Sequence, residues 1–231
     1  MIEKATWDII FSVMKLRSLD INKVKDTCWL QESEKRLLAA GMQKRVEKAS
    51  RFRQEKDRLL SLAAGILLLN ALEEAEIRDL ALTEEKEGKP RLLKDQGFFF
   101  SLSHSGHFAV CAVSDRECGV DVQKPVSYNP GLVSRFFAPE EQSLFTDAGE
   151  APDRDRLFTR LWTLKEAYVK MLGTGLTTDL GSFAILPGQE ETTLMKKAPG
   201  YGEVSCSFTE TSLEDHLVAV CVSSDDASCH E

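Results

Sequence analysis

The spacing of apolar residues separates helical from strand-like segments along the chain. Over 154–172 it places Leu157, Leu161, Leu164, Tyr168 and Leu172 on one buried helical stripe. The glycines of "GTGL" (173–176) end that helix. A second long helix is expected over 54–73 and a shorter one over 31–40. "FFAPEEQSLF" (136–145) starts another, with Pro139 suited to its first position. Apolar or alternating runs at 6–15, 98–103, 107–114, 118–123, 203–209 and 216–224 predict strands. "SDRE" (114–117) is a turn that returns the chain antiparallel. Helices and antiparallel strands in separate runs give an α+β fold.

The pattern echoes itself. "DRLLSLAAGILL" (57–68) resembles "DRLFTRLWTLKE" (155–166), and "HFAVCAVSD" (107–115) resembles "HLVAVCVSSD" (216–225). The order of helix and strand is the same in both pairs, which points to an internal repeat.

Composition narrows the function. The 231 residues suffice for a sizeable core, and the net charge of −8 argues against broad nucleic-acid binding. An anionic ligand would therefore need a local basic cluster. The first residues, "MIEKATWDIIFSVMKL", carry scattered charges and have no uninterrupted apolar stretch, so neither a signal peptide nor a membrane span is expected. The six cysteines form no C-x-x-C, and Cys111 and Cys221 lie in apolar runs, as expected of reduced cysteines in a cytoplasmic protein.

Several segments could carry chemistry. In "GVDVQ" (119–123), Val120 and Val122 share one strand face, and Gly119, Asp121 and Gln123 share the other. The oxygens of Asp121 and Gln123 suit Mg²⁺, although the segment taken alone reads more simply as an edge strand offering both residues to solvent. In "SLSHSGHF" (101–108), Ser103, Ser105 and the backbone around Gly106 form either a phosphate-binding turn with His104 or a plain polar turn. "EGKP" (87–90) holds Lys89 in a rigid turn, and "KRVEKASRFRQEKDR" (44–58) is a basic run in an acidic protein. On the 154–172 helix, Glu166 and Lys170 are an i,i+4 pair; Lys165, at the edge of the apolar stripe, either snorkels or faces a buried anion.

The order of these pieces is more specific than any one of them. K-R…R-F…D-R, G-K-P, S-H-S, G-V-D-V-Q, R-F-F-x-x-x-E and W-T-L-K-E-A-Y-V-K, over residues 44–183, resemble the 4′-phosphopantetheinyl transferases of the surfactin-synthetase-activating type. The resemblance implies a pseudo-twofold monomer with halves 1–114 and 115–231 and the site between them. It implies transfer of the phosphopantetheine arm of coenzyme A to a serine of an apo acyl- or peptidyl-carrier protein, releasing adenosine 3′,5′-bisphosphate. Such an enzyme would serve fatty-acid, polyketide, nonribosomal-peptide or aminoadipate pathways. Asp121, Gln123 and Glu166 would hold Mg²⁺. Glu166 would also deprotonate the carrier serine, and Lys170 would stabilise charge on the phosphate. Lys89, Ser103, His104, Lys165 and the basic mouth of Arg45, Lys48, Arg51 and Arg58 would contact coenzyme A. Gln123 stands where many bacterial members have Glu. Tyr128, Leu132, Val133, Arg135 and Phe136 are the expected carrier-docking residues. The alternatives are a catalytically weak member that mainly binds carrier proteins, and an unrelated Mg²⁺-dependent phosphotransferase.

Overall fold

The structure is a computed structural model that describes residues 6–11, 14–24, 27–84, 89–146, 148–188, 192–196 and 205–224. The elements run β1 (Thr6–Phe11), β2 (Met14–Asp20), α1 (Thr27–Ala39), α2 (Gln43–Ser50), α3 (Glu55–Glu74), β3 (Leu82–Glu84), β4 (Pro90–Leu92), β5 (Phe99–Ser105) and β6 (Phe108–Ser114). They continue with β7 (Cys118–Gln123), α4 (Pro130–Phe136), α5 (Pro139–Ser143), α6 (Ala151–Leu172), β8 (Ala184–Pro187), β9 (Thr192–Lys196), β10 (Cys206–Leu213) and β11 (His216–Ser223).

Two antiparallel sheets organise the chain, one in the order β1-β2-β6-β5 and one in the order β10-β11-β7. The sequence echo is visible in this order. β6 lies between β2 and β5, and β11 lies between β7 and β10, each pair flanking a long helix in the chain. The apolar run 6–15 is not a single strand: it divides between β1 and β2, which pair with each other. Two small hairpins, β3-β4 and β8-β9, have strands of three to five residues, too short to leave a clear alternation.

Burial arranges these elements in layers. α3 is buried at every position from Leu59 to Leu69, so it is apolar all round rather than along one stripe. It packs with α1, α2 and one face of the first sheet through Leu37, Leu62, Ile66, Phe100 and Cys111. Between the sheets, Leu16, Val110 and Ala112 meet Val120, Val122, Val218 and Val220. α6 covers the outer face of the second sheet through Leu164, Tyr168 and Met171, which pack with Ala219 and Cys221. Val120 and Val122 thus occupy the inter-sheet core, and Asp121 belongs to the face that meets α6.

That approach is set by one glycine. A Cβ at Gly119 would lie 2.0 Å from the Ala167 carbonyl oxygen and 2.3 Å from the Met171 nitrogen, so β7 and α6 touch backbone to backbone there. α6 then ends at Gly173, which adopts a left-handed φ of 76°. Among the described residues no helix is long and apolar enough to cross a membrane. Cys28, Cys111, Cys118, Cys206 and Cys221 are free thiols, and burial pushes Cys118 up to about 11.

Candidate active site

A cavity of about 680 Å³ opens where α2, β5, β7 and α6 converge. Asp121, Gln123, Glu166, Lys170, Ser103, His104, Lys89, Arg45 and Lys48 all line it. These side chains come from distant parts of the chain, and the alternation on β7 and the turn of α6 aim them at one volume.

Asp121 is at the centre. It is only 2% exposed, and its Oδ1 accepts a hydrogen bond from Ser103 Oγ at 2.7 Å and one from Lys170 Nζ at 2.7 Å. Its Oδ2 is buried and has no hydrogen-bond partner among the described residues. A buried carboxylate oxygen without a donor is costly unless something else satisfies it. Glu166 faces the same cavity, and burial, together with the Asp121 charge, raises its pKa against the opposing pull of Lys170. Two carboxylates on one cavity, one of them with an oxygen that has no hydrogen-bond partner among the described residues, are a donor set that fits a divalent cation. Gln123 adds a neutral oxygen to the same wall, where its Oε1 lies 3.4 Å from Ser105 Oγ.

The cationic side is uneven. Arg45 is buried and donates from Nη2 to the Ser61 carbonyl at 3.1 Å, which holds its guanidinium at the cavity wall. Lys48 lies one turn further along α2, exposed at the cavity edge. His104 opens onto the cavity and meets the Phe52 ring edge-on. Surrounding protein, then Lys170 and Arg45, lower its pKa, so the ring is neutral at neutral pH.

Several expected placements need correction. Ser103 and His104 belong to β5 rather than to the turn, which begins only at Gly106, where a Cβ would collide with His216. Lys89 does line the cavity, but its ammonium donates to Glu117 Oε2 at 2.9 Å, to the Cys118 carbonyl at 3.1 Å and to the Met171 carbonyl at 3.2 Å. Through these bonds it staples the start of β7 to the end of α6.

Lys165, Arg51 and Arg58 do not line the cavity. Lys165 is fully buried on another face of α6 and forms an ion pair with Glu141. Arg51 caps α2 in an exposed position, and Arg58 pairs with Glu34. In the expected docking segment, Val133 is buried and Tyr128 packs on Phe145 and Phe158. Leu132 and Arg135 are exposed, and Arg135 and Phe136 reach the cavity.

Glu141 had no assigned role in the sequence, although it closes the R-F-F-x-x-x-E pattern. Its position three residues after Ala138, in a helix begun by Pro139, was the available signal: Glu141 Oε2 accepts the Ala138 N–H at 2.7 Å, half of a capping box. Asp20, His107 and Glu214 also gather at one point, but they line no part of the cavity, and each has a protein partner.

Carboxylates and cations line this cavity together, with Lys170 bonded directly to Asp121. The chain belongs to the 4′-phosphopantetheinyl transferase superfamily, and it is an enzyme of that class. The superfamily model matches residues 117–221, and a model of the 4′-phosphopantetheinyl transferase N-terminal region matches residues 29–116. A 4′-phosphopantetheinyl transferase of Bacillus subtilis is 29% identical over 197 residues, covering 84% of this chain and 87% of that protein. The Bacillus pumilus 4′-phosphopantetheinyl transferase psf-1 is 29% identical over 223 residues, covering 94% of this chain and 93% of its own. Among solved structures, a holo-[acyl-carrier-protein] synthase of Thermotoga maritima is similar at a TM-score of 0.40 and 22% identity, over 46% of this chain and 62% of that one.

Proposed function

We propose that the enzyme transfers the 4′-phosphopantetheine arm of coenzyme A to a serine hydroxyl of an apo acyl- or peptidyl-carrier protein. The observation that carries this reading is Asp121 in the cavity, with one oxygen held by Ser103 and Lys170 and the other buried without a hydrogen-bond partner among the described residues. The family membership supplies the reaction class. The site would lie between halves 1–114 and 115–231: Arg45, Lys48, Ser103 and His104 come from the first, and Asp121, Gln123, Glu166 and Lys170 from the second.

Asp121, Gln123 and Glu166 would hold Mg²⁺, which would supply charge neutralisation at the diphosphate of coenzyme A. The protein groups do the rest. Arg45 and Lys48 give the cavity a cationic wall for the terminal phosphates. Neutral His104 can donate a hydrogen bond without adding charge. Glu166 accepts the proton of the carrier serine as its oxygen bonds to the phosphorus that bears the pantetheine arm. The opposite phosphorus–oxygen bond breaks, and adenosine 3′,5′-bisphosphate leaves. Lys170, placed beside Asp121, stabilises the charge that grows on the phosphate oxygens. Exposed Leu132 and Arg135, beside the cavity mouth, are the candidate contacts for the carrier.

The reading is tested by incubating the protein with coenzyme A, Mg²⁺ and an apo carrier protein. Mass spectrometry should show one phosphopantetheine added to the carrier. No adduct on acyl or peptidyl carriers would overturn it.

A further inference from the structure

β5 is the last strand of the first sheet, and β7 is the last strand of the second. The two edges meet beside the cavity, and serine side chains bridge them. Ser101, Ser103 and Ser105 alternate along β5 and so share one face. The Val120 N–H donates to Ser101 Oγ at 3.0 Å. The Lys124 N–H donates to Ser105 Oγ at 3.2 Å. Between them, Ser103 Oγ donates to Asp121 Oδ1 at 2.7 Å and accepts from Lys170 Nζ at 3.1 Å.

A hydroxyl has one proton to give. Ser103 gives it to Asp121, so it is not a phosphate donor in this arrangement. With Lys170 on the same oxygen, Oδ1 has two donors and Oδ2 has none among the described residues. The carboxylate is therefore fixed with both donors on one oxygen and the other buried without a hydrogen-bond partner among the described residues. The outer two rungs hold the backbone on both sides of Asp121. This guards the register, since a one-residue slip of β7 would turn Asp121 into the valine core.

We propose that Ser103 is a positioning residue that presents Asp121 Oδ2 to the divalent cation, and that the Ser101–Ser103–Ser105 ladder fixes the strand for that purpose. This rests on the reading of Asp121 as a metal ligand. Loss of a group that orients a ligating carboxylate lowers metal affinity by about 10–100-fold.

The test reads binding rather than turnover. Mn²⁺ is titrated into the full chain with coenzyme A and no carrier, and bound Mn²⁺ is followed by electron paramagnetic resonance. Ser103→Ala should weaken Mn²⁺ binding by about tenfold or more. Ser103→Thr, which keeps the hydroxyl, should bring it back to within about threefold of the parent. Coenzyme A affinity measured in chelator should stay within about twofold for both variants. If Ser103→Ala does not fold, Ser103→Cys, of similar volume but a weaker donor, is read in the same way.

Unchanged Mn²⁺ affinity in the alanine variant overturns the inference. So does a loss of coenzyme A affinity in chelator as large as the loss for Mn²⁺, which would make Ser103 a ligand of coenzyme A. If the parent protein with coenzyme A binds no Mn²⁺, the metal-site reading itself fails, and the inference falls with it.

Discussion

Lys165→Met should cost the fold more than any change at the cavity. The ammonium of Lys165 donates to Glu141 Oε1 at 2.7 Å, Glu141 Oε2 at 2.6 Å and the Phe183 carbonyl at 2.9 Å. It also lies 4.2 Å from the centre of the Phe183 ring. The two side chains are 1% and 0% exposed. Met keeps the length of the stem and removes the charge. Among the described residues, Glu141 would keep only the Ala138 and Ile185 N–H donors, at 2.7 and 2.9 Å, and would remain buried without a countercharge. Breaking such a pair from one side costs about 3–5 kcal/mol. For a chain of this size that is a fall in melting temperature of roughly 6–20 °C.

The loss should depend on pH. Burial already raises the pKa of Glu141 and is opposed mainly by Lys165. Without Lys165 the pKa rises further, so the folded carboxyl prefers to be protonated. Its unfolded pKa is ordinary, so the variant loses stability as pH rises through that value towards the folded one. Thermal unfolding at pH 5.5 and 7.5 should show the larger deficit at pH 7.5. Lys165→Met with Glu141→Gln leaves no unpaired charge and should recover part of the loss. A single variant within about 1 kcal/mol of the parent at pH 7.5, or a double variant no better than the single one, would refute the reasoning.

Gly119→Ala should separate β7 from α6, because its Cβ would fall 2.0 Å from the Ala167 carbonyl oxygen; transfer activity should drop at least tenfold alongside a lower melting temperature, measured on the same sample. Gln123→Glu should lower the Mg²⁺ concentration giving half-maximal rate at neutral pH, with the gain shrinking in mild acid; an unmoved midpoint would mean that Gln123 does not serve the ion. His104 should titrate below its ordinary value of 6.5 by nuclear magnetic resonance, since surrounding protein and the charges of Lys170 and Arg45 lower its pKa. The unfolded chain then takes up that proton first, so His104 should subtract stability as pH falls through 6.5, and His104→Gln should flatten that limb.

The parts that could be read from the sequence were those written in local periodicity. α3 and α6, the strand faces of β7 and the stop at Gly173 all follow from spacing and turn chemistry. Asp121 and Gln123 share the cavity face because a strand alternates, which needs no knowledge of its neighbours. What could not be read depends on a partner distant in sequence. The pattern placed Lys165 at the edge of an apolar stripe and allowed a buried anion. That anion is Glu141, on a helix too short to announce its orientation, and not a bound ligand. Lys89 looked like a phosphate grip because its turn is rigid, and its bonds to Glu117, Cys118 and Met171 could not be read from that turn. The alternating serines at 101, 103 and 105 were visible, but their meaning required the edge of the second sheet.

Glu166→Gln tests the central claim most directly. The substitution keeps shape and hydrogen-bonding capacity while removing the proposed base and one metal charge. The initial rate of phosphopantetheine transfer to an apo carrier should fall by about 10²-fold or more, with the melting temperature close to that of the parent. A folded Glu166→Gln variant transferring within a few-fold of the parent would contradict the account.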